Sequence, residues 1–99
     1  MAELTETNLV QQQFERAMEL PNDRRLYCNG FTIAIAAPDI AIILLYNNQP
    51  IAIVNTSHVT AKSFGVTLAK LLTVFEEQTK QDILTIDEIN AAREEKNDQ

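Results

Sequence analysis

This sequence of 99 residues has little cysteine, histidine, glycine or proline. Its one thiol and one imidazole, Cys28 and His58, are too few for an intrachain disulfide framework or for a zinc site built from Cys and His alone. Two glycines and three prolines exclude collagen-like and other Gly/Pro-rich low-complexity structure. The longest nearly uncharged stretch, residues 31–46, is shorter than the roughly 20 apolar residues that a membrane-spanning helix needs. We therefore expect no membrane span.

Signals for targeting are missing from the ends of this sequence. Residues 1–6 are polar and acidic, without the basic region and apolar run of a secretory signal. Neither end carries a lipidation motif. These features predict a soluble, cytoplasmic protein.

The charge is concentrated at the two ends of the chain. The net charge is −6, yet residues 26–75 contain only three charged side chains, Asp39, Lys62 and Lys70. Charged side chains are rarely buried without a partner, so a long segment that lacks them indicates a core. We expect residues 1–7 to be disordered, residues 8–81 to form a single domain and residues 82–99 to form an acidic helical tail.

Three segments have helical patterns. A stripe of Val10, Phe14, Ala17 and Met18 predicts a short N-terminal helix, with Asn8 and Gln11 as a capping box and Pro21 beyond its end. A second stripe predicts a long helix that begins near residues 58–60, is capped by Ser57 or Thr60 and frays by Gln81. A third helix is predicted over residues 86–96, with Thr85 and Glu88 as its capping box. The stripe of the long helix is Ala61, Phe64, Leu68, Leu71, Leu72 and Phe75.

Three strands are predicted between the first two helices. From Arg25 the apolar period is two, with large side chains from Tyr27 to Ile35 on one face and mostly small ones on the other. A turn at residues 37–39 and a second turn at residues 47–50 separate this strand from strands at 40–46 and 51–54. Short turns join antiparallel neighbours. The predicted fold is α+β: a three-stranded antiparallel meander packed against one long helix, with short N- and C-terminal helices.

The middle of the chain carries a recognisable spacing of core and turn residues. It comprises Tyr27-x-Asn29-x-Phe31-x-Ile33, Pro38-Asp39-Ile40 before an apolar run, Ser57-His58, Ala61-Lys62, Leu68, Leu71, Leu72 and Phe75-Glu76. Over residues 26–77 this pattern resembles the bacterial and archaeal family known as domain of unknown function 3467. The resemblance implies the order strand–strand–strand–helix and implies no activity. Family members often end in a Gly-containing tail soon after the long helix, whereas this chain continues into the third predicted helix.

The polar residues of the apolar middle do not form a catalytic pattern. Cys28 is expected to be a buried, inert thiol, and His58 a capping or surface residue. Asp39 follows Pro38 in a turn and has no second acid beside it in the core segment. Ser57 lacks a nucleophile elbow, and no phosphate-binding or dinucleotide-binding loop is present. We expect no enzyme activity, no catalytic residues, no cofactor and no bound metal.

The second strand is apolar on both faces, and one helix covers only one face of a sheet. The other face must be covered by the N-terminal helix, by a second copy of the chain or by a different partner. We therefore expect a non-catalytic protein-interaction module that forms a homodimer and binds an unidentified protein. The expected interface residues are Ile43, Leu45, Val10 and Phe14.

The alternative is a nucleic-acid-associated regulatory protein built on the same dimer. It would need Arg24, Arg25, Lys62 and Lys70 to converge on one surface. A sequence pI of about 4.6 and scattered basic residues disfavour this alternative.

Overall fold

The computed structural model describes residues 6–97, and the burial of side chains is described for residues 8–95. Within this part of the chain the order is helix, three strands, long helix, helix, which confirms the predicted α+β class. A short 3-10 turn, Asn22–Arg24, follows the first helix. The other elements are α1 (Glu6–Met18), β1 (Gly30–Ile35), β2 (Ile40–Tyr46), β3 (Gln49–Thr56), α2 (His58–Thr79) and α3 (Ile86–Asn97).

The chain divides into two compact units. Residues 6–36 and 41–55 form the sheet unit, which contains α1 and most of the sheet. Residues 37–40 and 56–97 form the helical unit, which contains α2 and α3.

The three strands form a meander in the order β1-β2-β3. Asn47 and Asn48 join β2 to β3 with φ angles of 51° and 69°. Two consecutive positive φ angles are typical of the type I′ turn, in which a two-residue loop places Tyr46 opposite Gln49. The predicted hairpin is confirmed, but β3 begins two residues earlier than expected. Pro50 is compatible with this strand because β3 lies at the sheet edge, where a ring nitrogen that points outward breaks no ladder hydrogen bond.

The first strand begins at Gly30, not at Arg25 as the period-two pattern predicted. A strand needs backbone partners, and β2 turns away after Tyr46, so the residues before Gly30 have no strand opposite them. Asn29 lies at this boundary: its backbone N–H donates to the Leu45 carbonyl at 3.0 Å. Its side-chain amide exchanges two hydrogen bonds of 2.9 Å with Asn47, one of them from the Asn47 backbone N–H. This pair ties the start of β1 to the hairpin.

The first helix already includes Glu6, the first described residue, two residues before the predicted cap. Asn8 therefore lies inside the helix, and the predicted capping box with Gln11 is wrong. The Gln11 side chain instead donates to the Glu15 carboxylate at 3.4 Å, one turn further along. Of the segment predicted to be disordered, residues 1–5 lie outside the described residues, whereas Glu6 and Thr7 belong to α1. The helix ends before Pro21, as predicted.

The long helix has the predicted extent, and Ser57 is its N-cap. The Ser57 hydroxyl oxygen accepts a hydrogen bond from the Thr60 backbone N–H at 3.1 Å, which satisfies one of the four unpaired donors of the first turn. At the other end Lys80 adopts the left-handed conformation, with φ of 54°, and its N–H donates to the Glu76 carbonyl.

The third helix begins with the predicted capping box. The Thr85 backbone N–H donates to the Glu88 carboxylate at 3.0 Å, and the Glu88 backbone N–H donates to the Thr85 hydroxyl oxygen at 3.2 Å. Within the same unit the Glu76 carboxylate of α2 accepts the Ile83 backbone N–H at 2.8 Å. This bond anchors the connection between α2 and α3.

The capping box makes the start of α3 sensitive to acid. The hydrogen bonds from the Thr85 backbone N–H and hydroxyl hold the pKa of Glu88 below its usual 4.5. A lowered pKa means that the carboxylate stabilises the folded helix above the usual pKa and that this contribution is lost as the pH falls through the lowered value. We expect NMR amide signals of residues 85–88 to report fraying in that window. Glu88→Gln, which keeps the acceptor oxygen without the titration, should abolish the pH response; a Glu88 carboxyl that titrates at or above 4.5 would contradict the role of the box.

Candidate functional site

The sheet has one face of large side chains and one of small side chains. A Cβ atom placed on Gly30 would lie 3.6 Å from the Leu45 Cβ, so these two residues share a face. The hairpin places Tyr46 opposite Gln49, and alternation along each strand then assigns the remaining residues. The first face is called the large face: within the sheet unit its large side chains are Phe31, Ile33, Ile35, Ile42, Leu44, Tyr46, Ile51 and Ile53, and the polar Gln49 and Asn55 of β3 lie on the same face. The second is called the small face and consists of Gly30, Thr32, Ala34, Ala41, Ile43, Leu45, Pro50, Ala52 and Val54.

The large face is exposed in the single chain. Ile35 is 74% exposed, Ile53 61% and Phe31 59%, and three more of its eight side chains are exposed to a lesser degree. Ile42 and Leu44, on the central strand, are half-buried by their neighbours. Single exposed apolar side chains are ordinary, but six exposed ones around two half-buried ones form a patch of the kind that marks an interaction site.

A shallow groove of about 460 Å³ lies beside the hairpin and is lined by Arg25, Leu26, Tyr27, Tyr46 and Ile51. The Tyr27 and Tyr46 rings pack edge to face, with centroids 6.2 Å apart and planes at 76°. Because Tyr46 and Ile51 belong to the large face, the groove extends that face toward the segment before β1. The Arg25 guanidinium lies 3.7 Å from the Met18 sulfur.

The four predicted interface residues do not lie on the large face. Ile43 and Leu45 are on the small face, on the central strand, and both are half-buried in the single chain. Val10 and Phe14 are on α1 and are exposed. The sequence pattern singled out the small face because β2 is apolar on both sides. It missed the large face as a site because the same side chains were expected to form the core.

Burial in the rest of the described chain is equally sparse. Among residues 8–95, Ile40 is the one hydrophobic side chain that is buried. In the helical unit, five side chains of the α2 stripe, Phe64, Leu68, Leu71, Leu72 and Phe75, are exposed. Apolar side chains that repeat on one helix face and remain exposed indicate a surface suited to burial.

The expectation that Cys28 is buried is wrong. Cys28 precedes β1 and is exposed. The period-two pattern placed it inside a strand among small residues, but β1 starts two residues later and no strand lies beside it. The thiol is therefore open to solvent and to thiol reagents in the folded chain.

The remaining polar candidates, His58 and Asp39, both lie in the helical unit. His58 is the exposed first residue of α2, next to the capping Ser57, and Asp39 is half-buried in the turn between β1 and β2. Within residues 6–97, no three His, Cys, Asp or Glu side chains lie close enough together to hold a metal ion. No helix in this part of the chain is long and apolar enough to cross a membrane.

Comparison with protein-family models, curated proteins and solved structures finds no significant match to this chain. The resemblance to the domain of unknown function 3467 family therefore stays a prediction. The exposed apolar surface is the feature of this chain that bears on its function.

Proposed function

We propose that this protein is a small, non-catalytic protein-interaction module of the cytoplasm that works as a homodimer. The observation that carries the proposal is the large face, on which six of eight large side chains are exposed to water in the single chain.

A single chain with this face exposed is less stable than a chain whose large face is covered. Burying an Ile or Phe side chain from full exposure contributes about 1.5–3 kcal/mol, while the whole stability of a small domain is about 5–15 kcal/mol. Domains are built from at least two packed layers that enclose a hydrophobic core. A chain in which Ile40 is the one buried apolar residue between residues 8 and 95 lacks that core. Association supplies the missing layer.

The absence of charge on the large face favours a protein as the partner. Its residues within the sheet unit include no Asp, Glu, Lys or Arg. An interface with nucleic acid requires Lys and Arg side chains that neutralise phosphates, which then makes the affinity fall steeply with salt. An apolar protein interface has no such requirement.

Light scattering on the purified chain tests the proposal. At micromolar concentration we expect about twice the mass of the 11.2 kDa chain, and we expect raised salt to leave that mass unchanged. A reductant in the buffer keeps the exposed Cys28 from linking two copies covalently. A monodisperse, folded monomer across the micromolar range would overturn the proposal. Salt-sensitive binding of duplex or single-stranded nucleic acid would instead favour the regulatory alternative.

A further inference from the structure

We propose that the large face of the sheet is the surface that a second copy of this chain covers. The inference rests on the proposed homodimer and specifies its interface. It departs from the sequence pattern, which favoured Ile43 and Leu45 on the small face.

The two faces of the sheet differ in the amount of apolar surface that they expose. The small face carries Gly30, Thr32 and three alanines, and its two largest residues, Ile43 and Leu45, are already half-buried. The large face carries Ile, Leu, Phe and Tyr together with Gln49 and Asn55 at the two ends of β3, and six of its eight large side chains are exposed. More apolar surface is therefore removed from water when a partner covers the large face than when it covers the small face.

The large face is similar in area to one side of a stable dimer interface. From their exposed fractions, and with about 200 Å² for a fully exposed large residue, the six exposed residues present about 650 Å² of accessible area. A specific, stable interface buries about 800 Å² per partner. The large face and the adjoining Tyr27–Tyr46 groove thus match what one side of a stable dimer needs.

The large face can pack against the same face of a second copy without placing like charges together. In a two-fold dimer the same patch is used on both copies, so any charge on it meets its own counterpart near the axis. This chain carries a net charge of −6, but none of that charge lies on the large face. Two copies can therefore approach through this face without placing like charges together. Asn29, Asn47 and Gln49 are polar and exposed at its hairpin end, as expected for the rim of an interface with an apolar centre.

Neighbouring residues on one edge strand provide a matched test. Ile53 on the large face and Val54 on the small face are adjacent on β3 and are 61% and 44% exposed in the single chain. In a Cys28→Ser background, Ile53→Cys and Val54→Cys each provide one thiol at nearly the same place in the sequence. A monomer with these exposures would label Ile53→Cys at least as fast as Val54→Cys. The dimer should reverse that order.

We expect the Ile53→Cys thiol to react about tenfold or more slowly than the Val54→Cys thiol at concentrations where light scattering gives a dimer. Dilution that dissociates the dimer should remove the protection. Ile33→Cys and Thr32→Cys on β1 form a second pair with the same expected order, in case one substitution at position 53 weakens the dimer. Circular dichroism establishes that each variant is folded before labelling.

Three results would overturn the inference. If the chain is a dimer but Ile53→Cys and Ile33→Cys label as fast as their partners, the interface lies elsewhere and the proposed homodimer still stands. If the chain is a monomer and the Ile53→Cys and Ile33→Cys thiols label fast, the interface and the homodimer fail together. If the chain is a monomer and these two thiols are protected at every concentration, the chain's own residues cover the large face.

Discussion

Replacing Ile43 by aspartate should leave no folded protein under conditions where the unmodified chain is folded. Ile43 lies in the middle of β2, with β1 on one side and β3 on the other, and it is half-buried in the single chain. A carboxylate at this position loses hydration and has no cationic partner on either face of the sheet. The cost of removing an ion from water is several kcal/mol, which is comparable to the whole stability of a small domain.

The far-ultraviolet circular dichroism spectrum and its urea dependence measure this effect. Ile43→Val is the matched control, because it keeps an apolar, β-branched side chain and should cost about 0.5–1.5 kcal/mol. A folded Ile43→Asp chain with an unchanged unfolding midpoint would mean that position 43 remains hydrated in the native protein. The small face would then be solvent-facing at the central strand.

The unfolding midpoint in urea should rise with protein concentration. If two copies must associate to complete the core, unfolding releases two chains, and mass action favours the folded dimer at high concentration. A hundredfold increase in chain concentration is worth about 2.7 kcal/mol. Each dimer unfolds into two chains, so its urea dependence is about 2–6 kcal/mol per molar, twice that of one small protein, and the midpoint should move by about 0.5–1.4 M.

This measurement separates obligate from incidental association. Glu88→Gln, a change at the exposed start of α3, should show the same concentration dependence as the unmodified chain. A midpoint that does not change over a hundredfold range would show that the chain folds by itself. Any dimer seen by light scattering would then form from monomers that are already stable.

Local rules predicted most of the secondary structure correctly. The Asn47–Asn48 turn, the Ser57 cap and the Thr85–Glu88 capping box each depend on side chains within four residues of one another, and each is present. The extent of α2 followed from an apolar stripe that repeats every three or four residues. These signals are encoded in short segments and need no information about the rest of the chain.

The errors occurred where distant parts of the chain decide the outcome. The period-two pattern continues back to Arg25, but a strand ends where its neighbour ends, and β2 turns at Asn47. Because β2 ends there, β1 starts at Gly30, and Cys28 is exposed instead of buried. At α1 the predicted cap, Asn8, lies inside the helix, because Glu6 and Thr7 before it are also helical.

The order of residues was sufficient to predict which side chains share a face of a strand or a helix, and which residues turn the chain. The exposure of each face depends on the folded chain, because alternation in a strand identifies two faces but does not say what covers either. Both faces of β2 are apolar, and both were predicted to be core. Because Gly30 pairs with Leu45 and Tyr46 pairs with Gln49, the large side chains of all three strands lie on the same face. Burial depends on contacts between residues far apart in the chain, so the exposure of that face could not be read from the pattern that predicted its composition.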